Sequence, residues 1–405
     1  MIKILHTADW HLGKRLQEYS RIGEQRLVML EIAAIADDQD VDAVFVAGDL
    51  FDVFNPSHDS QELLYSTLFK LSNGGKRPVI AIAGNHDSHA LIEAPVPLAK
   101  ELGIVLVGST KHQSLDITLP NGVRLQSKEA NIIEIFFPEK NETAVVITAP
   151  YTNEHLLRTY LGEQNREEEL RKILKLRWET LAKKYFTKTS LNFFIGHFFF
   201  VKDGEKPSAE PESERSILHV GGAQAIYSSD LPDGLHYAAL GHLHRHQCID
   251  SERFPVVYSS SPLCYSFSEA GQQKCVVIFD SDSKKYETID LKQGYELVRM
   301  RFESVNEAVT WLEANQENYV EITIASDGPL EAESRRSIMA AHPRIVHLIP
   351  EIKNLNQTDS ALQSSDLSLD MTTLFSKFFK AENGTEPSEE LLTMLREVMN
   401  EEGQG

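Results

Sequence analysis

The sequence predicts an α/β protein in which mixed β-sheets are flanked by helices, followed by a small α+β capping domain and a C-terminal helix pair. Three observations predict it. Strand-length apolar runs recur through the first 280 residues, helix-period segments separate the first three runs, and the texture changes after Leu291.

Ile2–His6, Ala43–Ala47 and Val79–Ala83 are short apolar runs of strand length, the second and third flanked by Gly or Asp as buried strands are. Between them, Ile22–Ala36 sets Leu27, Leu30, Ala34 and Ile35 near one helical face, and Glu62–Leu71 repeats apolar residues at three to four. Strand–helix alternation of this kind builds parallel βαβ units. Ala144–Thr148, Asn192–Ile195, Tyr237–Leu240, Val256–Ser259 and Val276–Phe279 continue the series, and their short connections predict antiparallel pairing and a mixed sheet. The charged stretch Glu154–Lys188 favours helix. In it Arg166, Arg171, Lys172, Lys175 and Arg177 alternate with Glu167–Glu169, the pattern of a salt-bridged face rather than a DNA groove.

Further on, Tyr295–Phe302, Asn306–Asn315, Val320–Ile324, Leu330–Ala341 and Ile345–Pro350 read as βαβαβ. The chain therefore divides into a main domain at 1–292, the capping domain at 293–352, a linker at 353–370 rich in Ser, Gln, Asn and Asp, and a helix pair at 371–400. Leu374, Phe375, Phe378 and Phe379 form an apolar stripe in the first tail helix. Leu391, Leu392, Leu395 and Val398 form one in the second, with Ser388 as its N-cap. Apolar helices at the end of a polar tether point to docking on another chain.

Composition narrows the function. With 40 Lys+Arg against 60 Asp+Glu, the net charge of −20 argues against a chain that holds nucleic acid by itself, because phosphate contact wants a basic surface. Residues 361–405 carry nine acidic and three basic residues, so part of the excess sits in the expected docking tail. Cys248, Cys264 and Cys275 are too few and too scattered for a disulfide framework or a thiolate zinc site, so a reducing cytoplasm is expected. The opening MIKILHTADWHLG does not read as a signal peptide, so none is expected, and the longest apolar run, Leu191–Val201, is too short to span a bilayer.

Five clusters of metal-compatible side chains directly follow predicted strands. They are Asp9-Trp10-His11, Gly48-Asp49-Leu50-Phe51-Asp52, Gly84-Asn85-His86-Asp87, Gly196-His197 and Gly241-His242-Leu243-His244. An α/β sheet places its ligands at the carboxyl ends of its strands, and the glycines let the chain turn sharply there. One such cluster is ordinary turn chemistry; five in order are not. Carboxylate, amide and imidazole without thiolate suit Mn²⁺, Fe or Zn²⁺. Seven ligands with one shared carboxylate are enough for two ions, the arrangement used to attack phosphorus.

In this order, DxH, GDxxD, GNHD, GH and GHxH resemble the calcineurin-like metallophosphoesterases over about residues 1–280. The strings ILHTADWHLGK, VAGDLFD, AGNHDS, YAALGHLHR and YSSSPLCYSFSE, together with the capping domain, linker and helix pair, resemble the DNA-nuclease subunits of that superfamily over essentially the whole chain. The resemblance implies that Asp9, His11 and His244 hold one metal, Asn85, His197 and His242 the other, and Asp49 bridges them. The metals would be two Mn²⁺, with Mg²⁺, Fe or Zn²⁺ as alternatives. His86 is the catalytic non-ligand, and Asp52, or alternatively Asp87, orients it; a helix-start cap is the other reading of Asp52. Lys14 and Arg15, with Arg21, form a candidate DNA-contacting loop, and Arg245 and His246 could touch substrate.

The resemblance further implies a coiled-coil ATPase partner docked through 371–400 and a homodimer through helices near Pro56–Leu71 and Pro95–Gly103. The expected activities are 3′→5′ exonuclease on duplex DNA and endonuclease on single strands or hairpins. A small-substrate phosphatase or cyclic nucleotide phosphodiesterase and a catalytically silent scaffold are the rival readings. His6, His89, His155, His219, His236, His342 and His347 read as structural or surface residues. One departure from the family is Ser260, where Gly is usual; it lies outside the metal motifs.

Overall fold

The computed structural model describes residues 1–111, 114–152, 166–204, 226–326, 328 and 330–352, and 375–376, 379, 387–388 and 391–392 of the C-terminal segment. The expected linker, most of the helix pair, the start of the charged stretch, His155 and His219 lie outside the described residues. No helix among the described residues is long and apolar enough to cross a membrane.

The chain begins as the alternation predicts: β1 (Lys3–Thr7), α1 (Ile22–Asp38), β2 (Ala43–Ala47), α2 (His58–Leu71), β3 (Val79–Ile82) and β4 (Ile104–Val107). Ser57 caps α2 by accepting the Ser60 N–H. The face expected of α1 is rotated. Val28, Met29, Ile32, Ala33 and Ala36 pack inward, while Leu27 and Leu30 are exposed. Apolar residues nearly surround this helix, so its period alone does not say which stripe meets the sheet.

There follow β5 (Asp116–Thr118), β6 (Arg124–Glu129), β7 (Ile132–Phe137), β8 (Glu142–Ala149), α3 (Arg166–Tyr185), β9 (Leu191–His197), β10 (Tyr237–Gly241), β11 (Gln247–Asp250), β12 (Val256–Tyr258), β13 (Cys275–Asp280) and β14 (Lys285–Asp290). One sheet has the order β14-β13-β1-β2-β3-β4, the other β11-β12-β10-β9-β8-β7-β6-β5. Against the antiparallel expectation, β8, β9, β10 and β12 all run parallel. The reason is connectivity. α3 returns the chain between β8 and β9, and the polar strand β11, invisible as an apolar run, returns it between β10 and β12.

The two sheets pack face to face over a shared core that includes Ile4, Phe45, Ile80, Ile135, Phe193 and Tyr237. α1 and α2 cover the outer face of one sheet through Val28, Ile32, Leu64 and Leu68, and α3 covers the other through Leu170, Leu174 and Trp178. Strands buried on both faces read as continuous apolar runs, which is why they were legible. On α3, Lys172 pairs with Glu168 and Glu169, and Arg171 and Lys175 both reach Asp230, so this face is ion-paired as expected.

His6 is structural. Its Nε2–H donates to the Leu240 carbonyl at 3.1 Å, and its Nδ1 accepts from Tyr237 Oη at 2.8 Å, so the neutral ring is satisfied in the core. Burial lowers its pKa to about 3. Below the ordinary value of about 6.5, the unfolded chain takes up a proton that the folded chain refuses, so stability falls with pH from there down toward 3. By pH 5 that loss is about 2 kcal/mol. Urea midpoints at pH 7.5 and pH 5 should therefore differ less in His6→Gln than in wild type, and an equal difference would refute the assignment.

Beyond the sandwich, β15 (Leu297–Phe302), α4 (Val305–Ala314), β16 (Tyr319–Ser326), α5 (Ala332–Ala341) and β17 (Ile345–Ile352) form a parallel three-stranded sheet with its own core, including Phe302, Ile322 and Ile338. It leans on the loop before α1 and on the first turn of α1. Tyr319 Oη donates to Glu24 at 3.0 Å and Tyr19 Oη to the Ile345 carbonyl at 3.2 Å. Arg21 lies in this contact, bonded twice to Glu24 and 5.1 Å from the centre of the Tyr319 ring. It is buried and committed, so the expectation that Arg21 contacts phosphate is corrected.

Candidate metal centre

The first motif continues the ladder past the ends of β1 and β2. The Asp9 N–H donates to the Gly48 carbonyl at 3.0 Å and the His11 N–H to the Asp49 carbonyl at 2.9 Å. Asp9, His11, Asp49 and His242 all adopt left-handed φ, at 54°, 43°, 50° and 108°. A run of costly backbone conformations on one sheet edge marks a site where geometry is held by its surroundings. Glycine is required beside it: a Cβ on Gly84 would sit 2.0 Å from Asp49 Oδ1, and one on Gly48 2.2 Å from His197 Nδ1.

All seven expected ligands converge. His11 Nε2 and His244 Nε2 face each other at 3.0 Å. Asn85 Oδ1 lies 2.9 Å from His197 Nε2 and 3.1 Å from His242 Nδ1. Asp49 Oδ2 stands between the two groups, 3.5 Å from His11 Nε2 and 3.4 Å from His197 Nε2. Asp9 meets the cluster through Oδ1, which accepts the His242 N–H at 2.8 Å and lies 3.7 Å from His197 Nδ1. Asp9, His11, Asp49 and His197 are fully buried.

Two carboxylate oxygens here, Asp9 Oδ2 and Asp49 Oδ2, are buried and accept no hydrogen bond. Such groups are costly unless a cation completes them, and ring nitrogens and carboxylate oxygens without sulfur suit a divalent ion, so the residues present fit a two-ion site. The electrostatics agree. Burial raises Asp9 to about 6. Burial also opposes the charge on His197, yet Asp49 and Asp9 lift it to about 9. A cluster that recruits protons into the core is one that dications can discharge.

Around this cluster, His197 Nδ1–H donates to the Ala47 carbonyl at 2.8 Å, which leaves its Nε2 lone pair directed at the donors above. His86 Nδ1–H donates to the backbone carbonyl of Asp52 at 2.8 Å. Asp52 thus reaches His86 through its backbone, while its carboxylate accepts from Lys14 Nζ at 2.6 Å. Asp87, the alternative orienter, instead accepts the backbone N–H groups of Gly84, Leu50 and Phe51 and ties the second and third motifs together. Lys14 is engaged by Asp52, Arg15 is exposed and turns to the Glu18 carbonyl, and His246 Nδ1 donates to the Tyr258 carbonyl at 3.0 Å.

The sequence reading missed Glu269, although it is the last residue of the string YSSSPLCYSFSE. It is buried against His244 and Lys274. The serine turn is also closer to the site than expected. Ser261 N–H donates to the His244 carbonyl at 3.2 Å, and its Oγ donates to the Leu263 carbonyl at 2.8 Å. Ser260 has a φ of 94°, a conformation that favours Gly, and its Oγ offsets part of the strain by donating to the Ser261 carbonyl at 2.7 Å. Ser260→Ala should cost about 1–2 kcal/mol, since it keeps the strain and loses the bond, whereas Ser260→Gly should be neutral within about 0.5 kcal/mol. Urea unfolding checks the order of the two variants.

The calcineurin-like phosphoesterase family matches residues 2–246. The SbcD component of the SbcCD nuclease from Bacillus subtilis is 32% identical over 404 residues, which is 98% of this chain and 97% of that protein. The protein of the same name from Rhodobacter capsulatus is 33% identical over 284 residues, 69% of this chain and 66% of that one. Among solved structures, a dimetal phosphatase from Danio rerio is 13% identical, with a TM-score of 0.36 over 68% of this chain and 91% of its own, too distant to carry an argument. The chain belongs to the calcineurin-like phosphoesterases and, within them, to the SbcD family of nuclease subunits.

Proposed function

We propose that this chain is the nuclease subunit of an SbcCD-type assembly and hydrolyses DNA phosphodiesters at the centre described above. The observation that carries the reading is the convergence of seven donors from five motifs on one buried cluster with two unsatisfied carboxylate oxygens. Asp9, His11 and His244 would hold one ion, Asn85, His197 and His242 the second, and Asp49 both. When bound, the two ions supply Lewis acidity and a water acidic enough to act as nucleophile near neutral pH.

The chain's own residues do the rest. Asp49 Oδ1 accepts the His86 N–H at 3.0 Å, so the loop that carries His86 is tied to the shared carboxylate. With Nδ1 donating to Asp52, the proton His86 can give to a departing oxygen is the one on Nε2. Lys14 neutralises the Asp52 carboxylate at the rim, and Arg15 beside it is exposed for phosphate contact.

The physiological metal is Mn²⁺. The activities are 3′→5′ exonuclease on duplex DNA and endonuclease on single strands and hairpins, used in processing DNA ends during repair, recombination and replication. An SbcC-type coiled-coil ATPase docks on the helix pair at 371–400 and gates cleavage. Two copies pair within a heterotetramer, a reading supported by the exposed Tyr65, Phe69 and Leu98 on the helices expected to meet. Mn²⁺ with labelled hairpin DNA tests the reading. Cleavage of the hairpin but not of small phosphate monoesters is expected, and the reverse would establish the small-substrate rival. Deleting residues 371–405 should abolish partner binding, and unchanged binding would refute the docking role. The acidic body further predicts weak DNA binding without metal or partner, which tight metal-free binding would contradict.

A further inference from the structure

We propose that Glu269, clamped by Lys274, is a positioning residue for His244 and makes the ion held by Asp9, His11 and His244 the tighter of the two. This rests on the two-ion reading above. Glu269 Oε1 lies 3.3 Å from His244 Nδ1, while His244 Nε2 faces His11 at 3.0 Å. An imidazole that donates Nδ1–H to a carboxylate keeps its lone pair on Nε2, where a metal can use it, and becomes a stronger donor.

The clamp is built. Glu269 is 2% exposed and Lys274 6%, and a buried anion persists only when paired and hydrogen-bonded. Lys274 Nζ donates to Glu269 Oε2 at 2.7 Å, to the His244 carbonyl at 2.7 Å and to Ser261 Oγ at 3.0 Å. One ammonium therefore holds both the carboxylate behind His244 and the backbone of His244. The Tyr265 N–H, at 3.3 Å from Glu269 Oε1, fixes the carboxylate from the other side.

The two ion positions are consequently unlike. The hydrogen bond of His197 Nδ1 goes to a neutral carbonyl, that of Ala47 at 2.8 Å, with Asp9 Oδ1 farther off at 3.7 Å. Behind His244 stands a carboxylate. In the ligand assignment proposed above, the first position has Asp9 and Asp49 as ligands and Glu269 behind it, while the second has Asp49 and the neutral Asn85, with Asp9 reaching it only through the Oδ1 that accepts the His242 N–H. More negative charge around one ion means tighter binding there.

Calorimetric titration of Mn²⁺ into the full chain tests this, with electron paramagnetic resonance to report the coupled ion pair. Wild type should bind two ions in two steps. Glu269→Gln should weaken the tighter step by about 10–100-fold and leave the weaker step within about threefold, with far-UV dichroism unchanged. Because Glu269→Gln leaves Lys274 without its carboxylate, the double variant Glu269→Gln/Lys274→Met removes both charges and should show the same selective loss. Unchanged affinities in either folded variant, or equal weakening of both steps, would overturn the positioning role. Wild type binding a single ion would instead overturn the two-ion reading itself.

Discussion

Asp49→Asn should leave a folded protein that no longer holds two ions and turns over phosphodiesters at least about 10³-fold more slowly, a loss of about 4 kcal/mol of transition-state stabilisation. The substitution is chosen for its backbone. Asp49 has a φ of 50°, a conformation that Asn tolerates as well as Asp, so the turn survives. The amide oxygen can still accept the His86 N–H that Asp49 Oδ1 accepts at 3.0 Å. What is lost is the negative charge between His11 and His197, whose Nε2 atoms lie 3.5 and 3.4 Å from Oδ2. Without it, two dications at close range repel each other unopposed. Metal content after gel filtration and steady-state hydrolysis check the result, and two retained ions with normal turnover would refute the shared role of Asp49.

His86→Ala should separate binding from chemistry. Turnover is expected to fall by about 10²–10⁴-fold while both ions stay bound, because His86 is oriented by the Asp52 carbonyl and is not one of the seven converging donors. His86 packs edge-on against His11 with ring centres 4.9 Å apart, near enough to the centre to meet a reacting oxygen. Metal stoichiometry measured beside turnover decides it. Loss of an ion would make His86 a ligand, and normal turnover with both ions bound would remove it from the mechanism.

Much of this site is legible in the residues themselves. The ligand motifs stand out because they combine a glycine with Asp, Asn or His directly after a buried strand, and the fold then brings those strand ends together. Residues whose role depends on side-chain direction are not legible in that way. Arg21 follows the first motif in sequence, like Lys14 and Arg15, yet the packing of the β15–β17 unit turns it inward onto Glu24. Asp52 acts on His86 through its carbonyl, an atom every residue has, so residue type could not signal it. The parallel run of β8, β9, β10 and β12 was hidden because β11 is polar and because α3, legible as a helix within Glu154–Lys188, does not by itself say that it links two parallel strands.

The residues alone point to the family chemistry: which side chains can bind metal, and that they lie at strand ends; the expectation that a chain this acidic leaves firm DNA binding to a partner also comes from composition alone. Which of these side chains stand on which side of Asp49, and which neighbours lie behind them, depends on the packing. Glu269 and Lys274 lie more than twenty residues beyond His244, and nothing in their spacing says that a turn folds them behind its ring. A motif records local backbone demands, whereas the field at a metal centre is summed over charges that long-range packing brings within a few ångströms.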